Sequence, residues 1–355
     1  MNDEYVYLWA QWGILNAEQY RFLLSKFGDL ESAWGKITSK FLIEIGFGRE
    51  KAERVFQIRK SLNFKEIVAK VEDLNVKILC LGDEDYPSLL AEIHDPPPFI
   101  FVRGALPSFH KSLGVVGTRN ITDYGRMVTD KMASALVYNG FVIVSGLALG
   151  VDACAHKTTI ENKGITVAVL GSGVDMLYPS ENVFLGKEIL KNGGAIVSEY
   201  PFGTPPLTHH FPARNRIISG LSKGILVVEG GVKSGALITA RFALEQGREV
   251  FAVPNNITKV SLSGTNHLIR RGEAKLVESV EHILEEFHLS TFSEQAVMDF
   301  DKDETSLLKI LSSGGKTMDE LIAGTAWNIA RLSEMMTNLS LKKAVREEGV
   351  KWVIA

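Results

Sequence analysis

The chain has 355 residues, 45% of them hydrophobic and 23% charged, with a net charge of −3; this is ordinary globular composition in a length that suits two or three domains. Its two cysteines, Cys80 and Cys154, have no C-x-x-C spacing, which excludes a disulfide framework and argues against a zinc site. "MNDEYVYLWA" lacks the basic start and apolar run of a signal peptide, and no apolar stretch approaches the ~18 residues of a membrane span, so a cytoplasmic protein without membrane contact is expected.

Residues 1–105 form the first region. "NAEQYRFLLSKFGDLESAWG" and "SKFLIEIGFGREKAERVFQIRKSL" place apolar residues at helical spacing. Between two such helices lies "IGFG" (45–48), followed by Arg49, Lys51 and Arg54. This pattern suits either a helix-hairpin-helix contact with phosphate or a tight αα-turn with a solvated basic face. The region closes with "VKILCLGDEDYP" and "HDPPPFIFVRG", where Pro96 to Pro98 predict an extended connector.

Residues 106–290 alternate short apolar runs with amphipathic helices. "SLGVVG", "FVIVSG", "TVAVLG", "GAIVSE", "GILVVEG", "EVFAVP" and "AKLVES" predict the strands of an α/β domain, a Rossmann-like, doubly wound and mostly parallel sheet. Four strands run into glycine-rich turns, "GVVGTRNITDYG", "VSGLALGVDACAH", "VLGSGVDMLYP" and "VVEGGVKSGALITA". In a parallel sheet these turns share one edge, and each can offer backbone N–H groups to an anion. They are not a dinucleotide fingerprint, because Met176 stands where the third glycine after Gly171 and Gly173 belongs. No cofactor is expected. "GGKT" (314–317) lacks the leading glycine of a phosphate loop, since position 310 is Ile; Thr317 with Glu320 predicts a helix capping box instead. Asp152 and His156 are four apart, a spacing that is more often structural. No metal cluster and no set of acid, base and nucleophile is evident.

Charge is unevenly distributed. Residues 201–275 hold ten Lys or Arg and four Asp or Glu, whereas residues 276–355 hold eight and fourteen. The basic block is either a face for an anionic ligand or a solvated surface. Within it lies "FPARNRIISGLS" (211–222). Arginine offers planar bidentate donors to phosphate and an exposed aromatic offers a stacking face to an unpaired base; Pro212 suits the first turn of a helix. The alternative makes Phe211 a core residue and the arginines ordinary ion-pair partners.

Residues 300–355 predict three helices and a hairpin turning near Glu348 and Gly349, a winged-helix-like domain that follows the linker "HLSTFSEQAVMDFDKD". Its recognition-helix candidate holds one cation before Lys342, Arg331, so protein contact suits it at least as well as DNA contact.

The motifs "GVVGTRNITDYG", "VSGLALGVDACAH", "VLGSGVDMLYPSEN", "SEYPFGTPP", "FPARNRIISGLS", "VVEGGVKSGALITARFALEQGREVFAVP" and "SGTNHLIRRG", in this order across residues 80–275, resemble those of the DprA/Smf family. The resemblance implies a non-catalytic protein that binds and protects single-stranded DNA and loads the RecA recombinase during natural transformation or recombination, as a homodimer built through the Rossmann-like domain. It also implies a variable N-terminal domain of SAM or helix-hairpin-helix type. By motif position Arg119, Phe211, Arg214, Asn215 and Arg216 face the DNA. The glycine-rich turns add Gly117, Thr118, Ser145, Gly146, Gly171, Ser172, Gly173, Lys233, Ser234 and Gly235 to the expected DNA-binding set. Thr208 replaces a lysine common in the family, and Gly230 in "EGGVKSG" replaces an alanine. The alternative is an enzyme of the lysine-decarboxylase-like Rossmann group, which cleaves nucleoside monophosphates at the glycosidic bond; against it, the leading Pro of that group's phosphate loop is absent and Glu245 comes late.

Overall fold

The computed structural model describes residues 3–289, 302–311, 314–325, 327–341, 344–348 and 351–354. It divides into two compact units, Met1–Ser290 and Thr291–Ala355. Six helices open the first unit: α1 (Asp3–Trp12), α2 (Ala17–Phe27), α3 (Leu30–Lys36), α4 (Ser39–Glu44), α5 (Arg49–Ser61) and α6 (Phe64–Asp73). Side-chain caps set several of their starts. The Asn16 side chain accepts from the Gln19 backbone at 2.8 Å, and the Gln19 carboxamide accepts in return from the Asn16 backbone at 3.1 Å; Asp29 and Thr38 cap α3 and α4. Each such cap stabilises its helix by about 1 kcal/mol. The "IGFG" hairpin joins α4 to α5, with Gly46 at φ +96° and Phe47 in the core.

The sheet has nine strands: β1 (Val76–Cys80), β2 (Phe99–Gly104), β3 (Ser112–Val116), β4 (Val142–Ser145), β5 (Thr166–Val169), β6 (Ala195–Ser198), β7 (Gly224–Val227), β8 (Glu249–Ala252) and β9 (Lys275–Leu276). Their order is β1-β2-β6-β5-β4-β3-β7-β8-β9. All pairings from β6 to β9 are parallel, whereas β1 and β2 add an antiparallel edge. Helices α7 (Ser88–Ala91), α8 (Asp123–Tyr138), α9 (Val151–Glu161), α10 (Val183–Lys191), α11 (His210–Gly220), α12 (Gly235–Glu245), α13 (Gly264–Arg270) and α14 (Val280–Glu286) complete the unit. Strand alternation feeds two cores. Leu226 and Val228 pack with Met132 of α8 and Ala155 of α9, while Ile225 and Val227 pack with Ile217 of α11 and Ala240 of α12. The fold is the expected doubly wound α/β sheet.

The boundary expected at residue 105 does not separate two cores. "VKILC" and "FIFVRG" are sheet strands, not connector, and Pro96 to Pro98 only delay the entry into β2. Trp9, Leu23 and Phe41 of the N-terminal helices share one apolar cluster with Phe101, Leu170, Ile196 and Phe202. Tyr20 meets Phe99 edge-on at 5.4 Å, and Gln11 exchanges two 3.1 Å hydrogen bonds with the Phe202 backbone.

The second unit contains α15 (Lys302–Leu311), α16 (Met318–Thr325), α17 (Ile329–Leu341) and an antiparallel pair, β10 (Val345–Glu348) and β11 (Lys351–Ile354). Leu307, Leu321, Leu332, Met336 and Val345 form its own core. The Thr317 backbone donates to Glu320 at 2.8 Å and the Glu320 backbone to Thr317 at 3.3 Å, the expected capping box. Most of the expected linker lies outside the described residues, as does the hairpin turn at residues 349–350.

Candidate nucleic-acid interface

The chain lays down β3, β4, β5 and β6 in one direction, then returns to place β7 on the other side of β3. That reversal leaves a crevice beyond the C-terminal ends of β3 and β7, where open α/β sheets bind ligands. A cleft of about 530 Å³ occupies it, lined by the loop after β3, the start of α12 and the cleft-facing side of α11.

Close packing fixes the loop that follows β3. A Cβ on Gly117 would lie 2.4 Å from Val151, and one on Gly150 only 2.2 Å from the Thr118 carbonyl. Gly150 also adopts φ +82°, a left-handed conformation that glycine alone adopts without strain. The Thr118 backbone donates to the Glu229 carbonyl at 2.7 Å. The fully buried Glu229 carboxylate accepts from the Thr122 backbone at 3.0 Å and from its hydroxyl at 2.7 Å. Arg119 is therefore presented from a rigid loop. It is exposed and forms no ion pair among the described residues, and its guanidinium carbon stands 5.5 Å from the Phe211 ring centre.

The two arginines of α11 have different roles. Residues two apart on a helix point to nearly opposite sides. Arg214 enters the floor of the cleft, 4% exposed, and donates to the carbonyls of Gly146 and Val169 at the ends of β4 and β5. Asp152 accepts from the Gly146 backbone at 3.1 Å beside it. Burial pushes the Asp152 carboxyl up to about 6, with Arg214 opposing; burial likewise pulls Arg214 down to about 10, with Asp152 opposing. Both are charged at neutral pH. Arg216 turns away from the cleft into a two-pronged pair with Glu199 at 2.6 Å, with Asp95 at 3.5 Å. Burial disfavours its charge, but these carboxylates raise its pKa above the ordinary arginine value.

Of the other expected residues, Gly117, Thr118, Phe211, Asn215, Ser234 and Gly235 line the cleft. Ser234 precedes α12, and its hydroxyl is buried with no hydrogen-bond partner among the described residues. Lys233 is exposed on the neighbouring loop. Ser145, Ser172 and Gly173 are buried away from it, and the two serine hydroxyls donate to the carbonyls of Val115 and Met176. Gly146 and Gly171 act from behind: Arg214 lies against the first, and a Cβ on the second would stand 3.0 Å from Phe211. Ion pairs among the described residues neutralise five of the ten cations in the basic block. Arg216, Arg241, Arg248, Arg271 and Lys275 are all ion-paired, partly to Glu92, Asp95, Glu199 and Glu286 from outside the block. The Asp152 and His156 pair is structural in its histidine: burial pulls the ring down to about 3, and it meets Thr166 at 2.6 Å. Sequence inspection missed Asp152, Tyr178 and Glu229 as parts of the site. The signal for Tyr178 and Glu229 was their place at the ends of the same glycine-rich motifs.

Residues 77–288 match the sequence model of the DNA recombination-mediator protein A family. The chain belongs to this family. Protein Smf of Synechocystis is 41% identical over 291 residues, spanning 80% of this chain and 72% of the relative. Among solved structures, DprA of Streptococcus pneumoniae is 34% identical with a TM-score of 0.67, covering 81% of this chain and 98% of that one. DprA of Helicobacter pylori, whose structure is described for its single-stranded DNA binding mode, is 29% identical with a TM-score of 0.55 over 61% of this chain and 96% of that one. The family match begins at β1, in keeping with a sheet that starts before residue 105. No helix among the described residues is long and apolar enough to cross a membrane.

Proposed function

We propose that this protein binds single-stranded DNA in the cleft between β3 and β7, and that it protects the strand and loads a RecA-type recombinase on it. The observation that carries this is the exposed, unpaired Arg119 on a rigid loop beside an aromatic ring, at the switch point of a family fold whose H. pylori member binds single-stranded DNA. A cation for the backbone and a π-face for the base suit an unpaired strand better than a duplex, whose bases are already stacked. Thr118, Asn215, Ser234 and Gly235 complete the contact set, with Lys233 at its edge, while Arg214 and Arg216 hold the site in shape. The protein acts in the cytoplasm as a homodimer through the sheet unit; exposed Ile257 and Leu276 supply apolar surface for that contact. The N-terminal helices and the winged-helix-like unit are accessory modules.

The role is non-catalytic. Glu245, the first carboxylate after the loop at residues 230–235, ends α12, about 15 Å along the helix from Gly235 at 1.5 Å per residue. It pairs there with Arg241 at 3.4 Å. The test is assembly of RecA filaments on single strands precoated with a single-strand-binding protein. Acceleration by this protein supports the proposal, whereas no acceleration at saturating protein refutes the loader role. Release of adenine from AMP with sustained turnover refutes the non-catalytic one.

A further inference from the structure

We infer that Tyr178, with Phe211 as its support, is the surface on which a base of the bound strand stacks. This rests on the cleft's being a single-stranded DNA site. Phe211 is half-buried, and its ring is already occupied by neighbours. It lies against the Gly171 backbone, where a Cβ would come within 3.0 Å of the ring. The Arg119 guanidinium stands 5.5 Å from its centre, and the Tyr178 ring 5.6 Å away at 37°.

Tyr178 lines the same cleft but is 43% exposed, and its hydroxyl forms no hydrogen bond among the described residues. The segment that carries it is fixed on both sides. Ser172 donates to the Met176 carbonyl at 2.7 Å, the Met176 backbone donates to Gly173 at 2.9 Å, and Asn182 donates to the Leu147 carbonyl at 2.8 Å. An exposed ring held in place before the ligand arrives loses little freedom on binding. Every base has a π-face, so such a platform serves any sequence. Phe211 contributes by fixing the tilt of Tyr178 and the position of Arg119.

The experiment uses the full-length protein and a fluorescent oligothymidylate, measuring affinity against salt together with the melting temperature. Tyr178→Ala is expected to weaken binding by about 5- to 150-fold, the range for loss of one stacked base, with salt slope and melting temperature unchanged. Tyr178→Phe keeps the ring and is expected to bind within about twofold of the wild type, as the ring face is the contact. An oligonucleotide carrying 5-iodouracil is expected to photocrosslink to Tyr178. Wild-type affinity in Tyr178→Ala, or a crosslink confined to Phe211, overturns the inference. If Arg119→Ala weakens binding and Tyr178→Ala does not, the inference alone fails. If the wild type binds no single strand, the cleft assignment fails and takes the inference with it.

Discussion

Arg119 and Arg214 look interchangeable in the sequence, and the structure separates them. Arg119→Ala removes an exposed side chain with no ion-pair partner among the described residues, so the melting temperature should stay within about 1 °C, as for an ordinary surface substitution. If Arg119 neutralises one phosphate, its loss flattens the plot of log K against log salt by about 0.7 and weakens binding about tenfold at low salt, equivalent to about 1.4 kcal/mol. Arg214→Ala strips two carbonyls of a buried charged donor and leaves Asp152 buried without its counter-charge. Leaving a buried charge uncompensated costs roughly 3–5 kcal/mol, which lowers the melting temperature by roughly 10 °C in a unit of this size. The slope for the remaining folded protein should be close to that of the wild type. Fluorescence anisotropy across a salt series and differential scanning fluorimetry on the same preparations decide the matter. An unchanged melting temperature with a flattened slope for Arg214→Ala, or a lowered melting temperature for Arg119→Ala, refutes the division of roles.

Four further outcomes are expected. The Asp152 carboxyl titrates near 6 in the folded protein against an ordinary value of 3.8, so protonation stabilises the fold. That contribution is complete below pH 3.8 and is lost as pH rises through 6; Asp152→Asn should flatten the stability profile across this window. Acidification through pH 6 should also tighten DNA binding in the wild type by removing a negative charge from the cleft floor. A pH response left intact in Asp152→Asn refutes this attribution. Gly150→Ala, whose Cβ meets the Thr118 carbonyl, should both destabilise the protein and weaken binding, and normal values of both would show that the loop relaxes freely. A chain ending at residue 290 should fold and keep most of its affinity for single strands, because the second unit has a core of its own; loss of nearly all binding in a folded truncation contradicts it.

Strands β3 to β8 were legible because each is a short apolar run bounded by glycine or a turn, the pattern of strands buried on both faces, and the run "AKLVES" marked the exposed edge strand β9. Strands β1 and β2 were not, since "VKILC" leads into an acidic turn and "FIFVRG" follows three prolines. Only the antiparallel register of β2 on β6 reveals them as sheet. The motif order located the cleft, yet residue type alone does not report burial. Arg214 and Arg216 differ by their angle on α11, and half of the basic block is ion-paired, partly to carboxylates remote in sequence. Asp152 stayed hidden for the same reason: a single aspartate acquires its meaning from the arginine that the fold brings beside it.

The central claim is that the single strand occupies the cleft at the ends of β3 and β7. Hydrogen exchange of the full-length protein with and without an oligothymidylate tests it directly. The account predicts slowed exchange at residues 117–122 after β3, at 208–215 entering α11 and at 234–239 opening α12, with no change around the 45–54 hairpin. Protection confined to that hairpin or to the second unit, with these three segments unaltered at saturating DNA, contradicts it.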